Sequence, residues 1–173
     1  MKKIDFTKLF GCFLVAFTIV LMASLPATLQ DKADGTLAYK GKSKTFNMAI
    51  KYVYLVEGPD TFTPSERNLR LLFSAKDISK EIKAATMLRH TDSALTDGEG
   101  FQIDLVKGPR YHYWMVLNGG LVQYSGTIPL ENFVTSVKTP THVAGTFKQD
   151  NAGAGGPTID VTFDATLLKK FDK

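Results

Sequence analysis

The sequence predicts an all-β protein: an antiparallel, immunoglobulin-like β-sandwich of about nine strands with one short α-helix, preceded by a signal peptide. Three observations predict it. Short runs in which apolar and polar residues alternate recur along most of the 173-residue chain. Glycine, proline and asparagine separate these runs at short intervals. One run in the middle of the chain carries its apolar residues at helical spacing instead. A closed barrel is the alternative arrangement of the same strands.

The first element is "MKKIDFTKLFGCFLVAFTIVLMASLPATLQ" (1–30). Lys2, Lys3 and Lys8 form a basic head, and no charge follows between Leu9 and Leu25. A basic head on a short apolar core is the pattern of a secretory signal peptide. Ala27, after Pro26, is the expected cleavage position, which leaves 28–173 as a single domain in the periplasm or outside the cell. An uncleaved inner-membrane anchor is the alternative, because the apolar run approaches the roughly 17–25 residues of a spanning helix. Cys12 sits too early in the apolar core to be a lipoprotein cysteine, and it reads as one apolar residue of the leader.

With Cys12 in the leader, residues 28–173 hold no cysteine. The domain is therefore expected to depend on its hydrophobic core, which is feasible because a domain of about 150 residues buries roughly 68–70% of its unfolded surface. Half of the formal charge of +4 lies in the leader, as Lys2, Lys3 and Lys8 against Asp5. The remainder shows no basic cluster of the kind that binds nucleic acid.

The domain opens with "TLAYK" (36–40) and "KTFNMAIKYVYLVE" (44–57), strands joined by a hairpin-length "GKS". In the second, Met48, Ile50, Tyr52 and Tyr54 are expected on one face. After the loop "GPDTFTPSE" comes the strand "RNLRLLFSA" (67–75). In "KDISKEIKAATMLRH", Asp77 can cap a helix start, and Ile78, Ile82, Ala85 and Leu88 recur at helical spacing. One amphipathic helix over 78–89 is expected, ended by the polar "HTDSALTDGEG".

"FQIDLVK" (101–107) alternates, with Phe101, Ile103 and Leu105 inward and Gln102 and Asp104 outward. "YHYWMVL" (111–117) is apolar or aromatic on both faces, as in a central or covered strand. "NGG" (118–120) is a tight-turn pattern, answered by "LVQYSGTI". "NFVTSVKT", "HVAGTFKQD" and "TIDVTFDATL" complete the strands. The glycine run "DNAGAGGP" is followed by a strand, whereas a phosphate loop needs a helix whose free amides face the anion. It reads as a hairpin turn.

The arrangement of "GTLAYKGKSKTFNMAIKYVYLV", then "LFSAKDISKEI", then "VAGTF…IDVTFDATL" resembles an uncharacterised group of exported bacterial β-sandwich proteins. Members open on a Gly-x-Leu strand and close on strands of this form. This chain has Ser74-Ala75-Lys76-Asp77 where the group has Ser-Asp. The resemblance implies export and a sandwich fold, and it carries no active site.

Chemistry-bearing motifs are sparse. His90, His112 and His142 do not share a helix or strand face, and a zinc site needs three or four ligands. No G-x-S-x-G is present. Asp160 and Asp164 fall on the solvent face of the last strand. The aromatic residues Tyr39, Tyr52, Tyr54, Tyr111, Tyr113, Trp114 and Tyr124 suit both a β core and a binding surface. The expected binding residues are Tyr111, His112, Tyr113, Trp114 and Tyr124, with no cofactor, metal or catalytic residue assigned. The function expected is a non-enzymatic binding or interaction module of the bacterial cell envelope. Its partner is an envelope protein, a glycan or a lipid, with the membrane reached only through an uncleaved N-terminal segment. The alternative is a periplasmic hydrolase or metal-binding protein using His112 with a carboxylate such as Asp104.

Overall fold

The computed structural model describes residues 31–60, 63–108 and 110–172. The expected leader, 1–27, lies outside them. Among the described residues the chain is mostly strand, and its strands form one curled, mixed sheet.

The strands are β1 (Lys32–Lys40), β2 (Thr45–Ile50), β3 (Tyr52–Pro59), β4 (Arg67–Ser74), β5 (Gly100–Asp104), β6 (Arg110–Leu117), β7 (Val122–Pro129), β8 (Phe133–Thr139), β9 (His142–Asp150) and β10 (Thr158–Lys170). They follow the order β2-β1-β10-β3-β4-β5-β6-β7, with β9 on the other side of β10 and β8 beyond it. β10 joins the two regions of the sheet. Its first half pairs antiparallel with both β1 and β9, and its end pairs parallel with β3, from Leu167 opposite Leu55. That parallel pair makes the sheet mixed, where the sequence predicts a purely antiparallel arrangement.

The alternation expected of the last strand is present. Ile159, Val161, Phe163 and Ala165 are buried, and Asp160, Thr162 and Asp164 are exposed. On the exposed face Asp160 accepts from Lys148 at 2.9 Å and Asp164 contacts His142 Nε2 at 2.7 Å, both across β9. The inward residues of both regions form one core, including Leu37, Leu55, Phe73, Phe101, Tyr113, Phe147 and Val161. Phe73 stacks on Phe101 at 4.5 Å and meets the edge of Phe163 at 5.3 Å. Such pairs add to plain area burial.

The single strand expected over 44–57 is two. At Lys51 the chain passes from one ladder to another: β2 pairs with β1, whereas β3 pairs with β4 and β10. The Lys51 N–H donates to the Ser74 carbonyl at 3.1 Å, and its own carbonyl accepts from Ala33 at 3.4 Å. The break changes the face. Ile50 and Met48 join the main core, but Tyr54 and Tyr52 turn to the opposite side of the sheet.

The expected helix over 78–89 is also divided. α1 (Ser79–Ala84) is followed by a 3₁₀ turn (Leu88–Thr91) and by α2 (Asp92–Gly98), the last within a stretch expected to be a loop. Asp77 does act at the start, accepting the Ser79 N–H at 2.9 Å. Lys169 Nζ donates to the Lys83 and Ala85 carbonyls at 2.6 Å, which satisfies groups left open at the helix end. Ala85 and Met87 then leave the helical conformation. This bend lets Ile82, Leu88 and Leu95 all reach the sheet; one straight helix would carry the later residues away from it. With Tyr54, Val56, Leu72, Val116 and Phe171 they form a second apolar cluster.

The two turn motifs fold as their sequences require. Asn118, Gly119 and Gly120 have φ of 54°, 61° and 89° between β6 and β7, the region that asparagine and glycine tolerate. The glycine run closes the β9–β10 hairpin, with the Asn151 N–H donating to Pro157 O at 3.0 Å and Gly156 N–H to Asn151 O at 2.8 Å.

Candidate functional site

The β3–β7 region presents two faces, and the second is only partly covered by the helices. Register partners on antiparallel strands share a face, so the outer face can be built row by row. Arg70 lies opposite Asp104, Asp104 opposite His112 and His112 opposite Thr127. The next row is Leu72, Gln102, Trp114 and Ser125. Helical residues cover Leu72 and Val116. Beside that cover lies a cleft of about 830 Å³ lined by residues of both rows and by Asp60, Asn68 and Leu88.

Arg70 anchors the floor. It is 6% exposed. Its Nε donates to Asp104 Oδ1 at 2.6 Å and one terminal nitrogen to Asp104 Oδ2 at 3.1 Å. The other terminal nitrogen reaches Asp92, and the Leu88 carbonyl and Thr91 Oγ1 at 3.4 Å each. The guanidinium thus ties the 3₁₀ turn and the start of α2 to β4 and β5. Burial opposes its charge, but Asp104 and Asp92 outweigh burial and hold its pKa above the ordinary value. Burial pushes the Asp92 carboxyl upward, and the neighbouring Asp104 charge adds to this against the pull of Arg70. With the Gln102 amide oriented to suit its neighbours, it donates to Asp92 at 3.1 Å and accepts from Arg70 at 3.2 Å.

At the rim Asp60 accepts from the Asn68 side chain, and from the Thr63 N–H at 2.7 Å. Asn68 itself is buried.

The five residues expected to bind divide between two faces. Tyr111 and Tyr113 are buried in the main core, and Tyr124 packs against it. Tyr113 Oη accepts from the Asn151 side chain at 3.0 Å. Burial pushes its phenol up to about 12, against the effect of that amide. Tyr113 reaches the cleft only at its lining. His112 and Trp114 point outward: His112 is exposed, and Trp114 is half-buried between the helix-side cluster and the cleft.

Sequence reasoning missed Arg70, Asn68 and Asp60. A usable sign existed for the first two. In "NLRLLFS" Leu69, Leu71 and Phe73 face the core, so Asn68 and Arg70 share the other face with Leu72 and Ser74, and a charge on a covered face needs partners. Asp60 lies in a loop and has no periodic signature.

His112 and Asp104 are neighbours in register, but both oxygens of Asp104 accept from Arg70. Among the described residues no group of three or more histidine, cysteine or acidic side chains converges as a metal site, and no helix is long and apolar enough to cross a membrane.

The fold and cleft define a mostly β protein with a curled mixed sheet, a helix-covered outer face and an open polar–aromatic cleft beside that cover. No family model matches the chain, and no curated protein or solved structure compared with it gives a match.

Proposed function

We propose that the protein is an exported, non-enzymatic binding module of the bacterial cell envelope, and that the cleft beside Trp114 is its binding site. The observation that carries the reading is the cleft itself. Its volume of about 830 Å³ falls within the roughly 300–1,000 Å³ of ligand pockets, and it combines an aromatic wall with a few convergent polar groups. A module of this kind binds a small envelope component, a glycan, a lipid headgroup or a protein segment, without changing it.

In the finer form of this proposal the two regions of the sheet stack as an immunoglobulin-like sandwich. Their shared core supports that form. Export rests on the basic head and uncharged core of residues 1–27. The strand motifs that resemble those of exported bacterial sandwich proteins agree with it.

N-terminal sequencing of the protein from cell fractions tests export. A chain beginning near residue 28 in the periplasm supports it, and an intact Met1 in the membrane fraction identifies an anchor. For binding, Trp114 is the one tryptophan of the chain, so its emission reports events at the cleft. Glycan, lipid and protein fractions of the envelope are titrated separately into the purified protein. Saturable change in emission, weakened in His112→Ala, is expected. Stoichiometric zinc or copper removed by His112→Ala, or turnover needing both His112 and Asp104, would replace this reading with the hydrolase or metal-protein alternative.

A further inference from the structure

The chemistry of the cleft restricts what can occupy it. An anion needs free donors, but the N–H groups of Arg70 are taken by Asp104, Asp92, Gln102 and the 3₁₀ turn. The same cleft also carries the carboxylates of Asp60 and Asp104, which repel negative charge. An acyl chain needs a dry floor, whereas the row Arg70, Asp104, His112 and Thr127 is polar throughout. Leu88, Val106 and Trp114 give the cleft an apolar wall, but hydrocarbon laid over Asp104, His112 and Thr127 would remove water from them without replacing its hydrogen bonds.

An organic cation needs carboxylate charge left unbalanced, and Arg70 already balances that of Asp104. Asp104 already gives both oxygens to Arg70, and Asp60 is held by the Asn68 amide and the Thr63 N–H. A carboxylate that holds two hydrogen bonds can accept others, because each oxygen carries more than one acceptor site. Held acceptors beside an aromatic plane suit an uncharged ligand with many hydroxyls. A sugar ring is such a ligand: its C–H face is apolar and its edge both donates and accepts. The half-buried Trp114 supplies a rigid apolar plane. Asp60 and Asn68 on one rim, with His112, Ser125 and Thr127 on the floor and opposite wall, surround it with side-chain donors and acceptors.

We propose that the cleft takes a neutral saccharide, with one ring stacked on Trp114 beside His112 and a neighbouring ring bonded to Asp60 and Asn68, an assignment that rests on the cleft being the binding site. The polar row beneath the ring fixes its orientation and Trp114 supplies most of the contact area.

The test is titration of the full chain with maltotetraose, cellotetraose and chitotetraose as neutral probes, followed by Trp114 emission and by calorimetry. Tetragalacturonate, spermidine and monocaprin serve as anionic, cationic and acyl probes. At least one neutral tetrasaccharide is expected to bind saturably, while tetragalacturonate is silent. In calorimetry His112→Ala and Asp60→Asn each weaken that binding by up to roughly tenfold, the loss expected from one hydrogen bond. Trp114→Phe keeps weakened binding and Trp114→Ala abolishes it. Lys148→Ala, on β9 and paired with Asp160, leaves it unchanged. Melting curves for each variant separate lost binding from lost folding, and the exposed position of His112 keeps at least that variant folded.

If no neutral tetrasaccharide binds at millimolar concentration, or if one binds with affinity indifferent to His112 and Asp60, the assignment is overturned. Spermidine or monocaprin binding at the cleft with the saccharides silent also overturns it, but leaves the binding-module reading standing. Turnover requiring His112 and Asp104 overturns that reading itself.

Discussion

Arg70 grips Asp104 with a two-point fork, Nε to Oδ1 at 2.6 Å and a terminal nitrogen to Oδ2 at 3.1 Å, across the β4–β5 ladder. The same guanidinium reaches Asp92 at the start of α2. One side chain therefore joins two strands and the helical cover, and its removal leaves two acids facing each other without a cation. Arg70→Met should cost about 2–4 kcal/mol. That is a little below the 3–5 kcal/mol of a fully buried pair, because the Asp92 and Asp104 side chains keep 39% and 23% exposure. Urea unfolding gives the value as a shift in midpoint at unchanged slope. A shift below about 0.5 kcal/mol would mean that water takes over the role of the guanidinium.

Two acids should shape the pH dependence in opposite directions. The Ser79 N–H, and then the Tyr54 hydroxyl that donates to Asp77 at 2.7 Å, hold the Asp77 carboxyl below its ordinary 3.8. Because its folded value is the lower one, its stabilisation is present above 3.8 and lost as pH falls through the depressed value. Asp92 behaves inversely. Burial raises its folded value, so its contribution is present below 3.8 and lost as pH rises through the raised value. Asp77→Asn should lower stability near neutral pH and converge with the parent at about pH 2. Asp92→Asn should flatten the decline above its ordinary value. Urea midpoints across this pH range decide both, and parallel curves for parent and Asp77→Asn would refute the first.

Alternation made much of this legible. The inward set of β10, the buried Phe101, Ile103 and Leu105, and the core-facing Tyr111, Tyr113 and Met115 of β6 follow directly from period two. The turn at Asn118–Gly120 and the hairpin at the glycine run follow from the backbone freedom of their residues. What periodicity lacks is long-range partnership. The break at Lys51 is caused by Ser74 and Ala33, which donate to or accept from its backbone from other strands. Likewise, the parallel pairing of β10 with β3 joins residues more than a hundred positions apart. The divided helix follows from where Leu88 and Leu95 must sit on the sheet, and the spacing of 78–89 holds no record of that surface. Of the cleft, His112 and Trp114 were visible as one face of β6. Arg70 was hidden by reading β4 only as an apolar strand.

Gly145 lies where β8 and β9 pair around an irregularity between Thr135 and Val137. A Cβ at this position would sit 2.1 Å from the Val134 carbonyl oxygen. The obstruction is backbone, so no rotamer change relieves it. Gly145→Ala should destabilise by roughly 1–3 kcal/mol, the usual cost of overpacking. A thermal melt reads it as a lower midpoint. An unchanged midpoint would show that β8 can move away from β9 without loss, which would make β8 a weakly held edge.

The two sides of Trp114 have different neighbours. One side packs against the helix-side cluster with Val116 and Leu72, and the other forms part of the cleft. A side chain covered on one side only has less to lose on truncation than one covered all round. Phe101 is the comparison: it is 0% exposed and stacks on Phe73. Phe101→Ala should cost about 3–5 kcal/mol, as large core truncations do, and Trp114→Ala about half of that. The cover over β6 is thus partly internal, supplied by the helices, and partly open to a ligand. Urea unfolding ranks the two variants, and quenching of Trp114 emission by acrylamide in the folded protein reports the open side directly. Strong quenching that falls when a neutral tetrasaccharide is added would place the ligand over the indole. If Trp114→Ala instead costs as much as Phe101→Ala and acrylamide leaves the emission unaffected, the indole is fully covered by the protein and the cleft cannot offer it to a sugar ring.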